Sequence, residues 1–172
     1  MVNDIYKKFE KAVVNSGFGK LSQTANFEEK MLPNITKDFA AITGQQPSAR
    51  PARMSISSFK LREGNIIGLK ATLRRARMKQ FVEKFLKVVL PRVRDFHGIP
   101  MKNVDEGGNL TIGVKENIVF PEINPEHSVA NFGVQVTLVP KDIKNRAQAI
   151  ELYKEIGVPF AKEIVAKKQV KK

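Results

Sequence analysis

Ile66-Ile-Gly-Leu-Lys-Ala-Thr-Leu-Arg-Arg-Ala-Arg-Met-Lys-Gln-Phe-Val-Glu-Lys-Phe-Leu-Lys-Val-Val-Leu90 changes its hydrophobic period within a few residues. Over residues 66–73 the period is two. Ile67, Leu69, Ala71 and Leu73 share one face and Lys70 and Thr72 fall on the other, which predicts a half-buried strand. Over residues 75–90, Met78, Phe81, Val82, Phe85, Leu86, Val89 and Leu90 recur at i, i+3, i+4 and i+7, which predicts an amphipathic helix. Arg77, Lys79, Lys84 and Lys87 take its other faces, and Pro91 ends it or opens the next turn. The chain has 172 residues, 42% of them hydrophobic. That suffices for one core and not comfortably for two.

Upstream, residues 9–14 read as a short strand entering Asn15-Ser-Gly-Phe-Gly19, where two glycines allow a tight turn. Phe27, Met31, Ile35, Phe39 and Ile42 repeat at helical spacing, with Glu28 and Glu29 at the N-terminal end and Gly44 after the last turn. Pro33 inside that pattern predicts a kink or a late helix start. Residues 45–51 hold two prolines and read as an extended or looping connection. Residues 53–64 are basic and without period.

Downstream, residues 106–109 signal a turn and residues 110–114 a short strand, while residues 118–125 form an extended, proline-bounded segment. Residues 132–139 alternate, with Val134, Val136 and Leu138 opposite Gly133, Gln135 and Thr137. Residues 145–156 make a last amphipathic helix stopped by Gly157-Val-Pro159. No repeat or low-complexity linker divides the chain, so one α+β domain over residues 1–162 is expected, with residues 163–172 as a basic C-terminal extension.

The net charge of +13 is concentrated. Residues 50–102 carry fourteen Lys or Arg against three acids, and each flank is near neutral. Such density faces a polyanion, most commonly nucleic acid. A solvated helix face explains part of it, on residues 75–87. It does not explain Arg53-Met-Ser-Ile-Ser-Ser-Phe-Lys-Leu-Arg62, which mixes cations, three serines and an aromatic ring without a regular buried face. That mixture suits phosphate and sugar contacts and base stacking, in RNA above all.

Competing chemistry finds little support. The chain has no Cys and two His, so thiolate sites and disulfides are excluded and no metal or cofactor is expected. Gly17-Phe-Gly-Lys fails as a phosphate loop because Val14 stands where that motif needs glycine. His97 and His127 lack a nucleophile or a carboxylate at a telling spacing, so no enzyme is expected. No apolar run approaches the roughly 18 residues that span a bilayer, and residues 1–8 lack a signal core. A soluble intracellular protein is the expectation. A free RNA-binding module acting on messages is the alternative to a structural one.

Several of these stretches also carry a resemblance. They are Asn15-Ser-Gly-Phe-Gly19, Ile42-Thr-Gly-Gln-Gln-Pro47, Ser58-Phe-Lys-Leu-Arg-Glu-Gly64 and Ile67-Gly-Leu-Lys-Ala-Thr-Leu-Arg74. Others are Arg77-Met-x-x-Phe81, Pro91-Arg-Val-Arg-Asp-Phe-His-Gly98, Gly108-Asn109, Gly113-Val-Lys-Glu-Asn-Ile-Val-Phe-Pro-Glu-Ile123 and Gly157-Val-Pro-Phe160. Together they resemble the bacterial form of the large-subunit ribosomal protein family that binds 5S ribosomal RNA, the "L five" family, over about residues 9–162.

The resemblance implies an antiparallel β-sheet packed on one side by α-helices, with a long basic loop. It implies a noncatalytic, cytoplasmic constituent of the ribosomal central protuberance, next to large-subunit rRNA and other proteins there. It places 5S rRNA on Asn15, Gln45, Lys70, Thr72 and Arg74. The loop over residues 53–64 is expected to approach P-site tRNA through Arg53, Ser55, Phe59, Lys60 and Arg62. The region of Asp105, Asn109 and Lys115 is expected to bridge to a small-subunit head protein.

Three departures stand out. Family members usually carry a helix before the first strand, where little precedes Phe9 here. Met54 stands where the tRNA loop usually has a cation, which weakens the electrostatic part of that contact. Residues 163–172 run past the usual end and add Lys167, Lys168, Lys171 and Lys172 as further rRNA contacts.

Overall fold

The computed structural model describes residues 6–161, apart from 20, 25, 127, 129 and 144. The basic extension, His127 and the first five residues lie outside the described residues.

Five strands form one antiparallel sheet: β1 (Phe9–Gly17), β2 (Ser48–Pro51), β3 (Ile66–Leu73), β4 (Leu110–Val114) and β5 (Val134–Pro140), in the order β2-β3-β1-β5-β4. Among the described residues three helices pack on one side: α1 (Leu32–Thr43), α2 (Arg75–Lys84) and α3 (Arg146–Ile156). The architecture is α+β, as expected.

Alternation along the strands sorts residues between the two faces. Ala12, Val14, Leu69, Ala71, Leu73, Ile112, Val136 and Leu138 are buried against Ile35, Phe39 and Ile42 of α1, Phe81 of α2 and Leu152 of α3 in one core. Each fully buried Leu, Ile or Phe contributes roughly 1.5–3 kcal/mol. These helices therefore bury their apolar stripes on the same sheet face, and no helix among the described residues covers the other.

The helix ends follow their sequence signals. A wide π-type turn over Phe27–Met31 precedes α1, so the helix proper starts late, with Pro33 in its first turn, where a missing N–H is harmless. Gly44 closes α1 at φ +66°. Asn145 caps α3, its side chain accepting from the Ala147 N–H at 3.1 Å.

Several boundaries differ from the sequence reading. β1 runs three residues past Val14, because Asn15, Ser16 and Gly17 pair with Lys70, Leu69 and Gly68 and do not turn. Residues 48–51 are an edge strand, where proline is tolerated because one side of the ladder is unpaired. Of the two readings of Pro91 the second holds, and the helix from Arg75 does not stop there. It widens into a π-turn over Phe85–Val89 and carries the proline in a last turn, Leu90–Arg92. The segment read as extended holds a 3-10 turn at Asn117–Val119. β5 begins at Val134, two residues later than its alternation suggests.

Candidate nucleic-acid interface

Strand register turns separate sequence positions into rows on the helix-free face. Ser48, Lys70, Asn15, Gln135 and Gly113 stand in line across all five strands. Beside them run Thr72, Val13, Thr137 and Thr111, with the Thr111 and Thr137 hydroxyls 3.2 Å apart. On the other flank Arg50, Gly68 and Gly17 are in register and leave bare backbone. This surface is polar and rich in donors. It opens into a depression of about 770 Å³ bounded by Asn15, Gly17, Gly113 and Gln135 below and by Lys102, Asn103 and Lys115 at the side. The Oδ1 of Asn15 is buried without a hydrogen-bond partner in the middle of the first row, and an unsatisfied acceptor of this kind costs about 1–3 kcal/mol.

The five residues assigned to 5S rRNA do not all sit alike. Asn15, Lys70 and Thr72 are neighbours on the helix-free face. Arg74 follows the end of β3, half-exposed, and pairs with Glu10 at 3.3 Å. Glu10 also holds Lys11 at 3.1 Å, and these two cations, Lys11 first, keep its carboxyl below the usual carboxylate value. Gln45 is taken up internally: its Nε2 donates to the Thr72 carbonyl at 3.4 Å and its Oε1 accepts from Arg77 at 3.5 Å, tying the end of α1 to β3 and α2.

The basic loop is an ordered extension of the β2–β3 hairpin. Ala52 and Asn65 continue the ladder, Ile56 and Leu61 bridge, and a 3-10 turn at Ser57–Phe59 makes the tip. Arg53, Lys60 and Arg62 are exposed, and the Phe59 ring and Met54 stand out in solvent at 63% and 64% exposure. Ser55 is partly committed, its Oγ accepting the Glu63 N–H at 2.9 Å. Lys60 takes the left-handed conformation at φ +50° to turn the tip.

Asp105 and Asn109 hold a turn. The Asp105 carboxylate accepts from the Asn109 N–H at 2.7 Å and from its Nδ2 at 2.8 Å. Lys115 is exposed at the far end of β4, five residues of strand away, or about 16 Å. These three residues do not form one cluster.

Residues missed from sequence complete the face: Ser48, Arg50, Lys11, Gln135, Thr137 and Thr111. The polar half of β5 was visible in its alternation. That β1 lies between β3 and β5 was not. His97 is exposed beside Asp95 and Pro100 in a groove next to β4, whose described lining holds no Ser, Thr, Cys or Tyr. Among the described residues no three His, Cys, Asp or Glu converge as a metal would require. No helix among them is long and apolar enough to cross a membrane.

Residues 8–62 match the family described as ribosomal protein L5, and residues 66–160 match the model of the same family's C-terminus. The chain belongs to the ribosomal L5 family. It is 43% identical over 155 residues to the large ribosomal subunit protein uL5 of Streptococcus thermophilus, covering 90% of this chain and 83% of that one. The uL5 proteins of Lacticaseibacillus casei and Streptococcus equi subsp. zooepidemicus are each 44% identical over the same shares. As an L5 protein the chain is a structural, non-enzymatic constituent of the large ribosomal subunit, associated with rRNA in the cytoplasm.

Proposed function

We propose that this L5 protein binds 5S rRNA on the helix-free sheet face in the central protuberance, beside large-subunit rRNA and neighbouring proteins. The observation that carries the reading is the row of Ser48, Lys70, Asn15, Gln135 and Gly113 crossing every strand on the side away from the helices. Hydroxyl, amide and ammonium groups there match the sugar 2′-OH and phosphates of RNA. The β2–β3 hairpin, with Arg53, Ser55, Phe59, Lys60 and Arg62, reaches towards P-site tRNA. The stretch from Asp105 to Lys115, which includes β4, contributes to the bridge with a small-subunit head protein, with Lys115 as its exposed cation.

The test is binding of purified protein to 5S rRNA, tRNA and an unrelated hairpin across a salt series. Log affinity for 5S rRNA falls with log salt by about 0.7–0.9 per neutralised phosphate. Thr72→Val lowers 5S affinity about 3- to 10-fold, the worth of one hydrogen bond, with the fold intact. Deleting residues 53–60 leaves 5S binding unchanged and disturbs tRNA contact on assembled ribosomes. Equal affinity for all three RNAs near physiological salt would overturn the 5S assignment.

A further inference from the structure

β4 is the last strand of the sheet, and its outer edge lies between two cavities. One is the depression of about 770 Å³ on the helix-free face. The other, of about 540 Å³, is the groove beside His97, on the helix side of the strand. Asn103, Gly113, Val114 and Lys115 line both, so the two meet along the strand edge.

Tyr153 shows which way the backbone of β4 faces. The Leu110 N–H donates to its hydroxyl at 3.1 Å, and that hydroxyl stands 3.1 Å from the Leu138 carbonyl of β5. Leu110 thus turns its backbone groups to β5. Direction alternates along a strand, so Ile112 and Val114 do the same, and Gly113 turns its N–H and C=O outward. On that outer side the Asn109 carbonyl accepts from the Asp105 N–H at 2.9 Å, and a bridge joins Val104 to Leu110. Beyond the bridge the cover stops. Outside the ladder with β5, residues 112–116 make no backbone hydrogen bond among the described residues. A Cβ built on Gly113 meets nothing within 4 Å.

Unpaired edges are templates for another chain, and sheets commonly blunt them with proline or a bulge. The opposite edge, β2, has both, at Pro51 and at the register shift between Arg50 and Pro51. β4 has neither. The two cavities beside it also differ in chemistry. In the groove Val93, Phe96 and Val119 are only partly buried. At the margin of the depression Lys102 and Lys115 are exposed, and neither has an ion pair or side-chain hydrogen bond among the described residues.

We propose that the outer edge of β4 takes a short extended segment of a neighbouring large-subunit protein, paired to Gly113 as an added strand. Successive side chains of such a segment fall on opposite sides of the sheet. An apolar one enters the groove against Val93, Phe96 and Val119, and the acidic ones next to it face Lys102 and Lys115. The groove volume lies within the range of small-ligand sites, about 300–1,000 Å³. Charge decides between occupants. Arg94, Asp95 and Glu116 put both signs on the groove rim, and the two carboxylates repel an RNA backbone. Residues 163–172 of this chain carry four lysines and one acid, the wrong balance for Lys102 and Lys115. The proposal rests on the large-subunit role and on neither the 5S nor the bridge reading.

The chain has no cysteine, so His97→Cys places a single thiol at the groove and Gln135→Cys one on the sheet face. Each variant is labelled with a short azidophenacyl photocrosslinker, assembled into large subunits and irradiated without small subunits. From position 97 the expected product is a crosslink to one large-subunit protein, mapped by mass spectrometry to a segment in which apolar and acidic residues alternate. Gly113→Pro deletes the outward N–H, which the ladder does not use, and should lower the yield at least fivefold. Gly113→Ala keeps the N–H and should leave the yield within about twofold. A crosslink only to RNA, only to residues 163–172, only after small subunits are added, or to nothing overturns the proposal. So does a yield that Gly113→Pro leaves unchanged. If the proline prevents assembly, Lys102→Glu with Lys115→Glu is used, and a yield undiminished by that pair overturns the proposal. From position 135 the product is 5S rRNA if the sheet-face reading holds, so the two readings fail independently.

Discussion

Gln23 and Phe59 are joined by a hydrogen bond from the Gln23 Nε2 to the Phe59 carbonyl at 2.8 Å. This bond ties the tip of the β2–β3 hairpin to the turn that follows β1. Among the described residues, the backbone hydrogen bonds over 52–65 stay within the hairpin, as in the bridge between Ile56 and Leu61. It therefore projects as a braced arm whose position is set by the strand that carries Asn15.

Gln23→Ala should release the arm without unfolding the sheet. Amide hydrogen exchange over residues 53–64 should accelerate about 5- to 10-fold, the effect of losing about 1 kcal/mol of local stability. Exchange in β1 and β3 should stay as it was. Unchanged exchange in the hairpin would mean that its own turn, and not Gln23, fixes its position.

Glu10 lies at the register shift of β1, between Phe9 and Lys11, and holds two cations that border the sheet face. Its carboxyl is held low by the hydrogen bond from Lys11 and then by that from Arg74. A lowered acid supports the folded arrangement above its unfolded value near 4.5 and loses that support as pH falls through the lower folded value. Glu10→Gln removes the negative charge that Lys11 and Arg74 share and frees both cations. Affinity for 5S rRNA and for an unrelated hairpin should both rise, the hairpin more, so the specificity ratio falls about two- to fivefold. A salt series reads both, and a lower affinity for 5S rRNA would show that Glu10 positions Arg74 instead.

Local periods carried most of the fold. β3 and α2 were legible from Ile66 to Leu90 because one face of each is buried and the residue types obey that burial. The edge strand at Ser48–Pro51 was not, since all four of its residues are exposed and leave no alternation to read. The site was legible only in halves. Lys70 and Thr72 follow from the parity of β3, but their neighbours Asn15, Gln135 and Ser48 come from strands far away in sequence, and register is a tertiary fact. Gln45, Asp105 and Asn109 are binding residues only by the family resemblance, and the fold also engages each of them in bonds to itself.

Gly98 lies at φ +96°, and a Cβ built on it would come 2.7 Å from the Ala161 nitrogen. Both facts arise from one arrangement. Ile99 pairs in parallel with Phe160, donating to the Pro159 carbonyl at 2.8 Å and accepting from the Ala161 N–H at 2.9 Å. Gly98→Ala should cost about 2 kcal/mol or more, from strain and the displaced backbone. Urea unfolding would show a lower midpoint with the slope preserved, and a proteolysis site should appear near residue 160. Ala substituted at Gly113, whose Cβ meets nothing within 4 Å, is the mild comparison.

Tyr153 closes the sheet edge from α3. Its hydroxyl donates to the Gly108 carbonyl at 2.8 Å, has the Leu138 carbonyl at 3.1 Å, and accepts the Leu110 N–H at 3.1 Å. The ring is fully buried and packs 5.8 Å from Phe9. Burial first, and the Asp105 charge beside it, push the phenol well above its ordinary value near 10. The sign follows from that. Above pH 10 the unfolded tyrosine gives up its proton while the folded one keeps it, so folding stability falls as pH rises. Tyr153→Phe should cost about 1–3 kcal/mol at pH 7, because the buried Leu110 N–H loses its acceptor. The variant should also lose stability more slowly than the parent between about pH 10 and 11. Parallel curves there, with the same offset at pH 7, would mean that the hydroxyl acts by packing and not by its bonds to β4 and β5.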